Sequence, residues 1–153
     1  TIITSSDGIS WTSRTSGTSK ELRGIIYANS TFVTVGDNGT ILTSGDGTSW
    51  TARTSGIASN DPDESNELYG VTYGNNTFVT VGDSGYILTS SNGNSWTSRT
   101  SGTSIELKGI IYANSTFVTV GDNGTILTSS DGISWTSRTS GTSNRLKAVT
   151  FKE

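Results

Sequence analysis

The stretch Thr4–Ser19, TSSDGISWTSRTSGTS, returns letter for letter at Thr128–Ser143, and looser copies begin at Thr43 (TSGDGTSWTARTSGIA) and Thr89 (TSSNGNSWTSRTSGTS). The tryptophans set the period: 39 residues from Trp11 to Trp50, 46 from Trp50 to Trp96 and 39 from Trp96 to Trp135. A period in this range is the mark of a repeat architecture. A residue that recurs in every copy maintains the repeat, so chemistry is to be sought where the copies differ.

Working outward from the last copy, each repeat reads as four strands. Leu107–Ala113 (LKGIIYA) is a first strand and Asn114-Ser115 a turn. Thr116–Val120 (TFVTV) is a second, closed by Gly121-Asp122-Asn123-Gly124, whose Asn-Gly pair suits the positive φ of a tight hairpin. Thr125–Ser129 (TILTS) is a third, turned by Asp131-Gly132, and Ser134–Thr139 (SWTSRT) is a fourth that leaves through Ser140-Gly141. Short strands joined by short loops form an antiparallel meander, and no segment has a helical period, so the class is all-β. Phe117-Val118 and Ile110-Ile111 put apolar residues on both faces of their strands, as in sheets buried on both sides. Repeated small sheets of this kind are what a β-propeller requires, with a stacked solenoid as the competing architecture.

The strand order places full blades at 21–55, 67–101 and 106–140 and a partial blade at 1–14, while Leu146–Lys152 (LKAVTFK), within 145–153, repeats a first strand alone. The chain thus carries about four blade equivalents in one repeat domain, the closing blade split between the termini. That blade has no second strand. A three-stranded blade, a longer protein, or blades shared between subunits would each answer this, and a homo-oligomer is the expectation.

Composition narrows the function. The 153 residues are 30% hydrophobic, and Ser and Thr make up roughly a third of them, far above ordinary usage. The β-branched and aromatic content with a small net charge fits a Thr-rich β protein rather than a disordered one. A net charge of −3 excludes the basic surface that nucleic acid needs. No apolar run approaches the roughly 20 residues of a membrane span. The absence of cysteine and histidine removes disulfides, thiolate metal sites and Ser-His-Asp or Cys-His catalysis. Thr1 in place of an initiating Met is expected of a processed product or a fragment.

The segments S-x-D-G-x-S-W at Ser5–Trp11 and Ser129–Trp135 resemble a shortened Asp-box, the hairpin motif of bacterial neuraminidase repeats. The wider phrase YANSTFVTVGDNGTILTSSDGISW, Tyr112–Trp135, resembles bacterial propellers with such repeats and relatives of photosystem II assembly factors, and the likeness runs over almost the whole chain. It implies a propeller in which Asp7, Asp46 and Asp131, with Asn92 in the third copy, hold hairpins by side-chain-to-backbone hydrogen bonds. It also implies that Trp11, Trp50, Trp96 and Trp135 fill the space between hairpin and blade rather than stack on sugars. The expected location is extracellular or at the surface of a bacterium.

The largest departure from the repeat is the insertion Ile57–Glu67, IASNDPDESNE, which holds the single proline, Pro62. Asp61, Asp63, Glu64 and Glu67 gather carboxylates there that would suit Ca²⁺, although the spacing is not that of an EF-hand and the ordinary reading of the same residues is a solvated acidic loop. Asp37, Asp83 and Asp122 recur in G-D-x-G turns, where they would form a circle of carboxylates for a cation or a basic partner, or serve the turns themselves. Tyr27, Tyr73 and Tyr112, with Phe151 in register, belong to the inner strand and read as packing. Arg14, Arg53, Arg99 and Arg138 are periodic and on the outer strand, whereas a sialidase needs unique arginines and a Tyr-Glu pair, and no such pair is apparent.

The expectation is therefore a non-enzymatic propeller scaffold for a protein or glycan, with no catalytic residues, no cofactor unless Ca²⁺, no nucleic acid and no membrane insertion. The alternatives are a glycan-acting propeller hydrolase and a recently amplified or engineered repeat with no evolved ligand. The second of these rests on near-identity: Thr103–Thr128 differs from Thr18–Thr43 only at Ile105 for Lys20 and Lys108 for Arg23.

Overall fold

The computed structural model describes residues 1–57 and 66–152. Over these residues the chain forms fourteen strands, joined by turns that include three short 3₁₀ segments. Among the described residues no helix is long and apolar enough to cross a membrane. Strands β1 (Ile2–Thr4) and β2 (Thr12–Arg14) make an antiparallel pair. Three four-stranded antiparallel sheets follow. The first holds β3 (Leu22–Ala28), β4 (Thr31–Gly36), β5 (Ile41–Ser44) and β6 (Thr51–Arg53). The second holds β7 (Leu68–Gly74), β8 (Thr77–Gly82), β9 (Ile87–Ser90) and β10 (Thr97–Arg99). The third holds β11 (Leu107–Ala113), β12 (Thr116–Gly121), β13 (Ile126–Ser129) and β14 (Thr136–Arg138). Each sheet is a simple meander with its strands in chain order. These are blades of a β-propeller, and the sheets do not close into a ring.

One register serves all three blades. Tyr27 faces Phe32, Tyr73 faces Phe78 and Tyr112 faces Phe117 across the first two strands. Turns fix it: Asn29-Ser30, Asn75-Asn76 and Asn114-Ser115 all take positive φ, the left-handed pair of a two-residue hairpin. The fourth strands are shorter than the sequence pattern suggests. Ser134 and Trp135 are spent on the preceding turn, so pairing begins at Thr136. Leu146–Lys152, expected as a first strand, forms no ladder. It nevertheless runs where a first strand would: Gly109 faces the carbonyl of Lys147 and Cα of Ala148, as Gly24 faces the carbonyl of Tyr69 and Cα of Gly70. Its Leu146 N–H bonds to Gly121 O at 3.0 Å, but no second strand lies beside it to complete the pairing.

The apolar core lies between blades. Val33, Val35 and Ile41 of the first blade meet Leu68, Phe78 and Leu88 of the second. Val79, Val81 and Ile87 of the second meet Leu107, Ile110, Phe117 and Leu127 of the third. The first strands β3, β7 and β11 contact one another in sequence, so they form the inner edge of the assembly. Apolar residues on both faces of the second and third strands are what this double covering needs.

Candidate functional site

The recurrent residues are structural in their geometry. Asp7 Oδ1 accepts hydrogen bonds from the backbone N–H groups of Ile9 and Ser10, each at 2.8 Å. Asp46 does the same for Thr48 and Ser49, and Asp131 for Ile133 and Ser134, at 2.8 and 2.9 Å in both turns. The preceding serine hydroxyl donates to each carboxylate and accepts from the glycine N–H that follows it. At the third copy Asn92 accepts from Asn94 at 2.9 Å and from Ser95 at only 3.3 Å, as a neutral acceptor would. These backbone donors, Ser10 first and then Ile9, hold the Asp7 carboxyl down at about 2, and the equivalent bonds lower Asp46 and Asp131.

A lowered folded-state value means that the contribution is full above the unfolded value near 3.8 and is lost as pH falls towards 2. Converting Asn92 to aspartate adds a fourth such carboxylate. Thermal melts of Asn92→Asp are expected to show a midpoint raised by a few degrees at neutral pH, with the gain vanishing between about pH 4 and pH 2. An unchanged difference across that range would show that the gain is not carboxylate hydrogen bonding.

The tryptophans and arginines complete the scaffold. Trp50, Trp96 and Trp135 donate their indole N–H to the carbonyls of Gly47, Gly93 and Gly132 at 3.1, 2.9 and 3.1 Å. Their rings lie over Phe32, Phe78 and Phe117, which in turn lie over Tyr27, Tyr73 and Tyr112. Trp11 is the exception and is exposed. The Nε of Arg14, Arg53, Arg99 and Arg138 donates to the hydroxyls of Thr4, Thr43, Thr89 and Thr128, which pins each fourth strand to its third. The periodic arginines are thus occupied, and they do not converge as an anion clamp would.

What the sequence does not show is a cluster built on bulges. The ladder between first and second strands skips one residue in each blade, between Leu22 and Gly24, Leu68 and Gly70, and Leu107 and Gly109. The skipped residues are Arg23, Tyr69 and Lys108, and a bulge re-aims the side chain that it frees. Arg23 Nε donates to Asp37 Oδ1 at 2.6 Å, and its Nη2 lies 3.2 Å from Glu67 Oε1. The Tyr69 hydroxyl lies 2.6 Å from Glu67 Oε2 and 2.7 Å from Asp83 Oδ1, with one proton to donate to two carboxylates. Lys108 Nζ sits 3.7 Å from the centre of the Tyr69 ring and pairs with Glu106, while Arg23 Cζ stands 5.4 Å from the ring centre. Tyr69 is therefore held among two cations and two carboxylates on adjacent inner strands.

Asp37, Asp83 and Glu67, singled out by different patterns, come together here. Asp122 does not join them: Arg145 straddles it, with Nη2 donating to Oδ2 at 2.9 Å and Nε lying 2.7 Å from Oδ1. Asp61, Asp63 and Glu64 lie outside the described residues. Among the described residues no group of three or more carboxylates has the arrangement of a metal site. The Tyr-Glu pair that is not apparent in the sequence is formed by Tyr69 and Glu67, whose pairing is set by the β7 bulge. Burial, and then the hydrogen bonds to Glu67 and Asp83, push the Tyr69 hydroxyl well above its ordinary value. The hydroxyl therefore stays protonated at neutral pH and serves as the donor to these carboxylates.

The pair also carries stability. Tyr69→Phe removes the hydroxyl and leaves the buried Asp83 carboxylate with the Glu67 N–H, at 3.2 Å. Urea unfolding is expected to show a loss of about 1–2 kcal/mol. Adding Asp83→Asn should recover part of it by removing the stranded charge, and an additive double variant would refute the coupling.

No protein family profile matches the chain, and no curated protein sequence does. Solved structures do. YCF48 from Cyanidioschyzon merolae superposes with a TM-score of 0.62 at 19% identity, over 78% of this chain and 37% of that one. A structure of YCF48 bound to D1 peptide superposes with a TM-score of 0.61 at 20% identity, over 78% of this chain and 41% of that one. The chain spans about two-fifths of the length of these structures. The likeness shows the fold that the sheets display: this chain is built of β-propeller blades.

Proposed function

We propose that the chain is a non-enzymatic propeller module that binds a protein segment at the cluster around Tyr69. The observation that carries this reading is the bulge position. On the inner strand it is occupied by Arg23, Tyr69 and Lys108, so Tyr69 stands where the flanking blades carry a cation, beside the cations of both. Its carboxylates, Glu21, Asp37, Glu67, Asp83 and Glu106, outnumber the cations Arg23 and Lys108. That excess suits a peptide carrying lysine or arginine, whose charge would complete the pairing. The structure of YCF48 bound to D1 peptide supports the reading by analogy of fold.

A lysine- and arginine-rich decapeptide, followed by fluorescence anisotropy against its Asp/Glu counterpart, tests it. The basic peptide is expected to bind, to weaken with salt, and to be lost in Glu67→Gln. No binding, or equal binding by both peptides, would defeat the proposal. The competing reading, a glycan hydrolase, has the Tyr69–Glu67 pair in its favour. Turnover of a fluorogenic glycoside that disappears in Tyr69→Phe would replace the binding reading with that one.

A further inference from the structure

The face of the third blade and the hairpin at Thr4–Trp11 are the two halves of a contact that the chain makes repeatedly within itself. The Asp-turn glycine of each blade sits on the blade before it. A Cβ built on Gly47 would lie 3.6 Å from Thr4 Cγ2. One on Gly93 would lie 3.3 Å from Val33 Cγ2 and 3.5 Å from Thr43 Cγ2, and one on Gly132 3.2 Å from Val79 Cγ2 and 3.8 Å from Thr89 Cγ2. Beneath these hairpins Val33, Ile41 and Thr43 of the first blade are buried, as are Val79, Ile87 and Thr89 of the second.

The third blade presents the same residue types, Val118, Ile126 and Thr128, but they are only half-buried. The first hairpin, in turn, sits on nothing: Gly8 has no atom within 4 Å of a built Cβ, Ile9 is 85% exposed and Trp11 is 58% exposed. Its sequence, Ser5–Trp11, is identical to Ser129–Trp135, the hairpin that occupies Val79 and Thr89. Its turn is closed by the same hydrogen bonds, so it is already in the docking shape.

We propose that the Thr4–Trp11 hairpin of one copy seats on Val118, Ile126 and Thr128 of a second copy, head to tail. The occupant is specified by the chain itself, since the same hairpin already sits on the same residue types one blade earlier. The docking also brings the second copy's Leu146–Lys152 towards Ile25 and Tyr27, both exposed, in the place that β3 takes against β7. The two surfaces differ, so the contact is heterologous and propagates until rotation closes a ring. Trp11 has no phenylalanine beneath it, unlike Trp50, Trp96 and Trp135, which makes this joint weaker than the internal ones and assembly dependent on concentration. The contact is independent of the cluster around Tyr69.

Sedimentation velocity and native mass spectrometry of the 153-residue chain test it. Species at multiples of 16.0 kDa are expected to grow with concentration. Val118→Asp blocks the face, and Gly8→Asn blocks the hairpin while keeping the positive φ that asparagine tolerates. Each variant alone should lose association by about tenfold or more. Mixed, they should form a 1:1 dimer and nothing larger, because one intact hairpin and one intact face remain. Circular dichroism unchanged from the parent shows that each variant is folded. A monomer at every concentration, or variants that assemble like the parent, would overturn the proposal.

Discussion

Gly82→Ala is expected to abolish the native state or lower its stability by about 4 kcal/mol or more. The added methyl would overlap the carbonyl oxygen of Glu67 and come within 3.1 Å of Cα of Leu68, both backbone atoms. Nothing there can swing aside. Gly82 N–H bonds to Tyr86 O at 3.0 Å and Asp83 N–H to Glu67 O at 2.9 Å, so the crossing of β7 and β8 is fastened on both sides of the glycine. Its φ of −166° is extended backbone open to any residue, which leaves the close approach as the whole reason for glycine. Gly102→Ala supplies the contrast. That position has φ of +79° and no atom within 4 Å, so alanine meets conformational strain alone, about 1 kcal/mol. Urea unfolding of the two variants separates the mechanisms, and equal losses would contradict this account.

Phe78→Ala and Phe32→Ala should differ although the two residues hold the same register position in the second strands of their blades, β8 and β4, and have the same neighbours in sequence. Phe78 has 0% exposure, lying between Tyr73 at 4.6 Å and Trp96 at 6.5 Å in the core shared by two blades. Its truncation leaves a cavity worth about 3–5 kcal/mol. Phe32 makes the same ring contacts but is half-buried, so its loss forfeits less apolar burial, about 1–2 kcal/mol. The denaturant midpoints measure the difference. If the two variants match, the contacts inside a blade rather than those between blades set its stability.

Much of the fold was legible because the sequence repeats its own punctuation. The Asn-Ser and Asp-Asn-Gly turns take the positive φ values that their residues favour, and β11 occupies the apolar run LKGIIYA. Apolar residues on both faces, such as Phe117 and Val118, announced sheets covered on both sides. The bulges were not legible, since an extra residue between Leu22 and Gly24 looks like ordinary alternation. A signal existed all the same. The bulge position reads Arg, Tyr and Lys at 23, 69 and 108, each before a glycine, so an aromatic residue stands in the second blade where the first and third carry a cation. Looking for difference among copies pointed to the long insertion, whereas the difference that gathers charge is a single substitution, Tyr69. The missing ladder at Leu146–Lys152 has another cause: a strand is a property of a pair, and LKAVTFK has the letters without the partner.

The placement of the core between blades has a consequence for how the protein folds. A blade is a local meander whose strands find one another quickly, yet alone it has almost no interior to reward the pairing. The smallest cooperative unit is then two neighbouring blades rather than one. Amide exchange should report this as matched protection of β4 and β5 with β7, β8 and β9 on either side of one shared interior, with β1 and β2 opening first. Repeat number, more than the quality of any repeat, sets how steeply this chain gains stability as it grows.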